Sequence, residues 1–273
     1  MNKRQIETHV IFEPLTEPAP PEEYIGKFIP FSELSPVLLI GPKGTGKTLQ
    51  VFCYAKSHNY KLLILEASED TKYGQLVGQF GLKGKEAYFA LGLIPTAIHY
   101  ANQGERFILL IEELNALTPA AQKILNSLLD IKQGITVKEI GRRFQIENHC
   151  SDFLIVATMN PTFHGGVYEL NEDLKSRFAI INIGYPDEET ERQILLRYTD
   201  NFDFATKLVN LAVQTRTSAF IYQLSTRDLV QAVRIEKKLG PGWALKTLEG
   251  KFEDQDLKTF KERLKGVFRS EAV

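Results

Sequence analysis

The sequence predicts an α/β fold, with a parallel sheet flanked by helices, followed by a small all-α domain. Three observations predict it: continuous apolar runs alternate with helix-length segments, a glycine-rich loop follows the first run, and strand-like runs stop after Tyr185-Pro186. Continuous apolarity is typical of parallel strands that are covered on both faces. Strand and helix in alternation place ligands at the carboxyl ends of the strands.

Composition excludes several classes of protein. With 43% hydrophobic and 25% charged residues, the chain is neither disordered nor a disulfide scaffold. A formal net charge of −1 argues against a protein that mainly coats nucleic acid. The apolar runs are far shorter than the roughly 18 residues of a membrane span, and the amino terminus has no signal-peptide pattern. Cys53 and Cys150 lie far apart, which favours reduced thiols in a cytoplasmic protein.

The predicted elements follow in order along the chain. Half of the 12 prolines lie in the first 36 residues, so residues 1–35 are predicted to form an extended arm on the domain. The apolar runs predict strands over 37–40, 61–65, 107–111, 153–158 and 179–183. The longer segments between them predict helices over 47–58, 85–103 and 118–130. Residues 135–147 alternate around Gly141, which indicates a β-hairpin inserted before the fourth strand.

Beyond Tyr185-Pro186 the pattern is helical. Helices are predicted over 187–199, 203–215, 226–239 and 254–268, with a break at Gly240-Pro241-Gly242. We therefore expect a sheet domain over 36–185 and a helical domain over 186–273.

A phosphate-binding loop is predicted between the first strand and the first helix. The loop matches the P-loop pattern GxxxxGK[ST] and consists of Gly41, Pro42, Lys43, Gly44, Thr45, Gly46, Lys47 and Thr48. Its glycines let backbone N–H groups curl around a phosphate, and the helix amino terminus adds its positive dipole end. Lys47 would reach the β and γ phosphates, and Thr48 would offer its hydroxyl to Mg²⁺. The alternative is an ordinary glycine-rich turn.

Two carboxylates follow the third strand. Glu112 and Glu113 come directly after the run 107–111, where burial would be costly except at the solvated end of the strand. In a P-loop enzyme the first acid supports the Mg²⁺ shell and the second orients or deprotonates the attacking water. We assign these roles to Glu112 and Glu113. The alternative is that both only end the strand and face solvent.

Several further segments resemble AAA+ ATPases. Phe153 to Pro161 resembles the sensor-1 strand with Asn160 as the sensor, 170–178 resembles the arginine-finger segment with Arg177 as the finger, and 225–228 resembles sensor 2 with Arg227 in that role. The match is closest to the MoxR-type and dynein-related branch, on 93–98, Ile111-Glu112-Glu113-Leu114-Asn115 and Ala157-Thr158-Met159-Asn160-Pro161. The resemblance makes 135–147 a pre-sensor-1 hairpin, 68–92 a helix-2 insertion and 186–273 a lid domain.

Each of these residues also has a purely structural interpretation. Asn160 precedes a proline and could simply form a turn, Arg177 could be a surface arginine favoured by a helix end, and Arg227 could reach Asp228 or solvent. Arg142 and Arg143 near the hairpin tip could contact a substrate or a neighbouring subunit, or lie in a solvated turn. The five histidines show no metal-ligand spacing.

The resemblance implies an ATPase that uses ATP and Mg²⁺ and converts ATP and water into ADP and phosphate. It implies that Arg177 completes the site of the next subunit, which makes the contact head-to-tail and the assembly a homo-oligomeric ring, expected to be a hexamer. The primary hypothesis is a chaperone-like remodelling ATPase that acts on a protein client or adaptor. The alternatives are a nucleic-acid-handling motor or nuclease-complex subunit, and a regulatory nucleotide switch without turnover. No guanine-reading NKxD motif is present, which favours ATP over GTP.

Overall fold

A five-stranded sheet organises the amino-terminal two thirds of the chain in the computed structural model, which describes residues 7–10, 12, 25–130, 134–147, 153–161, 168–217 and 220–268. The strands are β1 (Glu7–Val10), β2 (Val37–Ile40), β3 (Lys61–Glu66), β4 (Gly78–Lys83), β5 (Glu86–Leu91), β6 (Phe107–Glu112), β7 (Gly134–Val137), β8 (Arg142–Gln145), β9 (Phe153–Met159) and β10 (Ala179–Asn182). The helices are α1 (Phe31–Leu34), α2 (Lys47–Ser57), α3 (Tyr73–Leu76), α4 (Leu93–Asn102), α5 (Pro119–Leu129), α6 (Glu172–Lys175), α7 (Glu188–Leu196), α8 (Phe202–Thr215), α9 (Thr226–Leu239), α10 (Pro241–Glu249) and α11 (Asp254–Val267).

The central sheet has the strand order β10-β2-β9-β6-β3 and is parallel throughout. Its middle strands are buried on both faces, as β6 and β9 illustrate with apolar side chains exposed by less than a tenth. This arrangement confirms the predicted α/β fold and all five predicted strands. Ile40 pairs with Met159, and Ile111 pairs with Ala157, so β2, β9 and β6 end at the same edge of the sheet.

A second sheet corrects the helix predicted over 85–103. Residues 86–91 form β5, and the helix α4 begins only at Leu93. The strand pairs antiparallel with β4 through a two-residue turn at Gly84, whose φ of +65° favours glycine, and parallel with β1. Gly92 lies between the strand and the helix. A Cβ there would lie 2.5 Å from the backbone nitrogen of Val77, so this close approach of two backbone segments requires glycine. Pairing with β1 and β4 therefore decides the conformation of 86–91.

Part of the predicted arm has regular structure. Strand β1 extends the second sheet, and α1 begins with Phe31, which is fully buried and packs edge-on against Tyr54 at 5.0 Å between ring centroids. Residues 13–24, which carry four of the prolines, lie outside the described residues. The short ladder of β1 precedes those prolines, so their missing N–H groups do not affect it.

The hairpin predicted over 135–147 is confirmed. Strands β7 and β8 pair antiparallel, with Ile135 opposite Phe144. They are connected by a short 3₁₀ turn over Lys138–Ile140 and by Gly141, which has a φ of +62°.

The remaining helices form a second compact unit, which contains the described residues from Ile183 onward and also Pro42–Thr45 of the glycine-rich loop. Its core contains Phe204, Phe260 and Phe268, each fully buried. Helices α7, α8, α9 and α11 confirm the four predicted there. The break predicted at 240–242 is confirmed, because α9 ends at Leu239 with Gly240 as its C-cap. Helix α10 was not predicted, and Pro241 occupies its first turn, where the missing N–H costs nothing. No helix in the described part of the chain combines the length and apolar character that crossing a membrane requires.

Candidate nucleotide-binding site

The glycine-rich loop begins where β2 leaves the central sheet. The Gly41 N–H donates to the carbonyl of Met159 at 3.2 Å, which holds the start of the loop against the end of β9. Gly46 immediately precedes α2 with a φ of +85°, a conformation that side chains with a Cβ rarely adopt. Helix α2 therefore starts at Lys47, so its amino-terminal N–H groups lie at the loop.

Lys47 connects the loop to the end of β9. Its ammonium group donates to the Gly41 carbonyl at 2.7 Å and to Oδ1 of Asn160 at 3.1 Å. The side chain is 8% exposed, so burial makes these polar partners necessary. Lys47 and Asn160, 113 residues apart in the sequence, thus meet at the shared edge of the sheet.

Thr48 and Glu112 form the second contact at this edge. The Thr48 hydroxyl donates to Oε1 of Glu112. Hydroxyl and carboxylate oxygens are ligands that Mg²⁺ prefers, so this donor set fits the ion. Among the described residues, no group of three or more His, Cys, Asp and Glu side chains comes together. Mg²⁺ in phosphoryl-transfer sites typically uses one or two protein ligands with phosphates and water.

Glu113 has an unusual backbone conformation. Its φ of 55° and ψ of 47° put a non-glycine residue in the left-handed region, directly before the 3₁₀ turn Leu114–Ala116. Such a conformation costs on the order of 1–3 kcal/mol and concentrates at functional sites. The Glu113 N–H donates to the hydroxyl of Thr158, a buried residue of β9, at 3.4 Å. Thr158 at the end of β9 therefore supports the Glu113 turn, and Asn160, which follows this strand, supports Lys47.

Arg177 lies outside the Lys47 and Thr48 contacts. Its guanidinium donates to the carbonyl of Asp173 in α6, and the side chain is half-buried. Asn171 caps α6 by accepting a hydrogen bond from the Asp173 N–H at 2.9 Å. Arg177 is thus held by a carbonyl of its own chain and makes no described contact with the glycine-rich loop of that chain.

Arg227 lies in the helical unit that also contains loop residues 42–45. A Cβ on Gly44 would lie 2.6 Å from Oγ of Ser225 and 3.4 Å from Cβ of Arg227, so the loop and the start of α9 approach closely. The Arg227 side chain is exposed.

The other loop residues show ordinary contacts: Thr45 donates to the Pro42 carbonyl at 3.0 Å, and Lys43 is exposed.

Asp228 secures the start of α9. It forms a reciprocal capping box with Ser225 and pairs with Lys251 at 2.9 Å. Burial raises the pKa of Asp228, but hydrogen bonds from Lys251 and Ser225 outweigh it and leave the pKa below its usual value of 3.8. Asp228, which the sequence offered as a possible partner of Arg227, thus already contacts Ser225 and Lys251.

A buried ion pair holds the same helix start from its other side. Glu191 is fully buried and accepts two hydrogen bonds from Arg216, at 2.7 and 2.8 Å, and one from Thr226 at 2.6 Å. Arg216 also donates to the Leu224 carbonyl and lies 3.9 Å above the ring of Tyr185. Sequence reasoning missed this network, because Glu191 lies in an amphipathic helix and Arg216 directly follows another, and charged residues at such positions usually face solvent.

Two buried amides were also missed. Asn115 and Gln122 are exposed by 1% and 0%. Gln122 occupies a core position of α5 beside Ala121 and Leu125, and a polar residue within such an apolar stripe is the signal that could have identified it.

Arg142 and Arg143 both make contacts within their hairpin. Arg142 lies 4.9 Å above the ring of Phe144, and Arg143 donates to Gln145 at 3.1 Å and to Thr136 at 3.4 Å. Cys53 is a buried thiol of α2, and Cys150 lies outside the described residues.

Comparison with known proteins gives a family match over most of the first unit. Residues 36–178 match the model of the AAA domain (dynein-related subfamily). The chain is 33% identical to the chaperone MoxR1 of Mycobacterium tuberculosis over 162 residues, 59% of this chain and 39% of that protein. It is 28% identical to protein CbbQ of Hydrogenophilus thermoluteolus, covering 66% of this chain and 65% of CbbQ. It is 26% identical to protein NorQ of Paracoccus denitrificans, covering 66% of this chain and 64% of NorQ. The chain thus spans between two fifths and two thirds of the length of these relatives.

Proposed function

Because the chain belongs to the dynein-related subfamily of AAA domains, as a MoxR-type AAA+ ATPase, we propose that it hydrolyses ATP to ADP and phosphate and uses the turnover to remodel a protein client. The observation that carries the proposal is the hydrogen bond from Lys47 to Asn160, which joins the phosphate loop to the polar residue at the end of β9. A cation and an amide at one sheet edge suit a triphosphate whose terminal phosphate is to be cleaved.

Each residue at the edge has a role in this proposal. Lys47 and the loop N–H groups bind the phosphates, and Asn160 contacts the terminal phosphate. Thr48 and Glu112 hold Mg²⁺, which neutralises phosphate charge when it is bound. Glu113 orients the attacking water and accepts its proton.

A complete site also needs a positive charge for the transition state, which we assign to Arg177 of a neighbouring subunit. Arg177 is held on α6 by the Asp173 carbonyl, outside the Lys47 contacts of its own chain. A contact in which one subunit completes the next is head-to-tail and closes into a ring. We propose a homo-oligomeric ring, a hexamer by the family resemblance.

We further propose that residues 36–185 form the nucleotide-binding domain and residues 186–273 a lid, with Arg227 as a second sensor of the nucleotide. The close approach of Ser225 and Arg227 to Gly44 supports this role. Because Cys53 is a reduced thiol, and the cytoplasm keeps thiols reduced, we propose a cytoplasmic location.

The client is proposed to be a protein. The relative with 33% identity is named a chaperone, and the net charge of −1 gives no general attraction for nucleic acid. Arg142 and Arg143 have partners within their hairpin, although both remain exposed.

Phosphate release tests the proposal. The parent should release phosphate from ATP, and Glu113→Gln should bind a fluorescent ATP analogue normally while turnover falls about 10²–10⁴-fold, the usual contribution of a positioned base. Glu86→Gln is the matched control, because Glu86 is an exposed carboxylate of β5 outside the site. The proposal fails if the parent releases no phosphate or if Glu113→Gln keeps parental turnover. Strong stimulation by DNA or RNA would instead favour a nucleic-acid motor.

A further inference from the structure

The segment that leads into α6 and Arg177 is attached to the rest of its unit by two residues with buried side-chain amides, through the side chain of Gln122 and the main-chain carbonyl of Asn115. Residues 168–171 contact Asn115, from the turn after Glu113, and Gln122, from α5. Both amides are almost wholly excluded from solvent. Buried polar groups of this kind need their hydrogen bonds, since an unpaired one is costly.

Asn115 bridges the terminal-phosphate residue and this segment. Its side-chain Nδ2 donates to the main-chain carbonyl of Asn160 at 3.1 Å. Its main-chain carbonyl accepts a hydrogen bond from the Tyr168 N–H at 2.7 Å. Asn115 lies two residues after Glu113, in the 3₁₀ turn that the left-handed Glu113 initiates. The position of this turn is therefore transmitted to Asn160 and Tyr168 together.

Gln122 holds the next residues of the segment. Its Nε2 donates to the carbonyls of Leu117 at 3.0 Å and Glu169 at 3.3 Å, and its Oε1 accepts from the Asn171 N–H at 2.9 Å. Both amide hydrogens are used, so the side chain has one orientation. Asn171 in turn caps α6, whose Asp173 carbonyl accepts from Arg177.

We propose that Gln122 is a positioning residue that, together with the main-chain carbonyl of Asn115, sets the place of Arg177 from the turn carrying Glu113. The inference rests on the proposed function, in which Arg177 serves the neighbouring site. Without Gln122, the Glu169 carbonyl and the Asn171 N–H lose their buried partner, and the segment must shift to find others. A displacement of about 1 Å in a catalytic group can reduce turnover about 10²-fold.

A mixture of two inactive variants isolates the effect on Arg177. Glu113→Gln chains keep the arginine but cannot turn over, and Arg177→Ala chains keep an intact site but lack the arginine. Their equimolar mixture should regain turnover, because each Arg177→Ala site can receive Arg177 from a Glu113→Gln neighbour. Mixing that restores nothing refutes the shared site of the proposed function itself.

Gln122→Met is then placed in one chain at a time. In the Glu113→Gln chain, which supplies the arginine, it should reduce the turnover of the mixture about 10–100-fold. In the Arg177→Ala chain, which supplies the reacting site, it should leave turnover and KM within about twofold. Equal losses in both arrangements, or no loss in either, would overturn the positioning role while leaving the proposed ATPase intact.

Two controls separate positioning from destabilisation. Ile98→Ala removes a buried side chain of α4 in the same unit and should lower the melting temperature. Its effect on the turnover of the mixture should be the same whichever of the two chains carries it. Gln122→Glu keeps the oxygen that accepts from Asn171 and serves if Gln122→Met does not fold. It should show a smaller loss with the same dependence on the chain that supplies Arg177, and an equal effect in both chains would contradict the proposal.

Discussion

Replacing Glu191 with glutamine tests the buried ion pair that holds the start of α9. The change conserves shape but removes the charge opposite Arg216, whose side chain is only 10% exposed. Breaking a buried pair by removing one partner costs about 3–5 kcal/mol, because the other charge remains buried. Arg216 keeps its hydrogen bond to the Leu224 carbonyl and its place above Tyr185, so we expect a loss of about 3 kcal/mol in the free energy of unfolding.

The assay is urea unfolding followed by the fluorescence of Trp243, the only tryptophan of the chain, which lies in α10 of the same helical unit. Glu189→Gln is the matched control, since Glu189 pairs with Arg192 on the exposed surface of the same helix. It should change stability by at most about 1 kcal/mol.

A double change gives a second check. Replacing Glu191 and Arg216 together with methionine removes both charges and should recover much of the loss, because an apolar pair in the same space is often as stable as the ion pair. The reasoning is refuted if Glu191→Gln unfolds at the same urea concentration as Glu189→Gln.

Three further changes probe the loop and the start of α9. Gly44→Ala should weaken ATP-analogue binding at least tenfold, because its Cβ would lie 2.6 Å from Ser225, whereas Gly84→Ala has open space around its Cβ and should leave binding unchanged. Lys47→Ala should abolish measurable binding in the same titration, since it removes the ammonium group that faces the loop carbonyl. Asp228→Asn should lower stability at neutral pH. Because the folded-state pKa of Asp228 is depressed, its contribution is complete above about pH 4 and is lost as the pH falls through that pKa, so melting curves of parent and variant should converge in acid.

The sequence predicts the site edge because parallel strands impose it. The contacts of Lys47 with Asn160 and of Thr48 with Glu112 arise between residues at the carboxyl ends of β2, β9 and β6, which the register brings to one edge. The apolar runs alone indicate those strands. The residue types at their ends then follow from the phosphate chemistry.

The strand over 86–91 could not be predicted in this way. Its aromatic and apolar residues suit a buried helix as well as a strand, and pairing with β1 and β4 decides between them. The partners Glu7–Val10 are some 80 positions away, so a local window contains β4 but not the second strand that β5 pairs with. Helix α10 was missed because Gly240-Pro241-Gly242 indicates the end of α9, whereas Pro241 also starts the next helix.

Buried polar networks are the features that are hardest to predict from the sequence. Gln122 and Glu191 occur in amphipathic helices, where most polar residues face solvent. Only the packed structure shows that their partners are backbone groups of 169–171 and the guanidinium of Arg216. Such networks depend on tertiary contacts, which neither periodicity nor propensity encodes.

The central claim is that turnover requires a site shared by two copies of the chain. Its most direct test measures ATP turnover per chain across a dilution series, with sedimentation velocity recorded on the same samples. Turnover per chain should rise with concentration in step with the assembled fraction, and Arg177→Ala should stay inactive even when fully assembled. Constant turnover per chain in samples that sediment as monomers would contradict the claim.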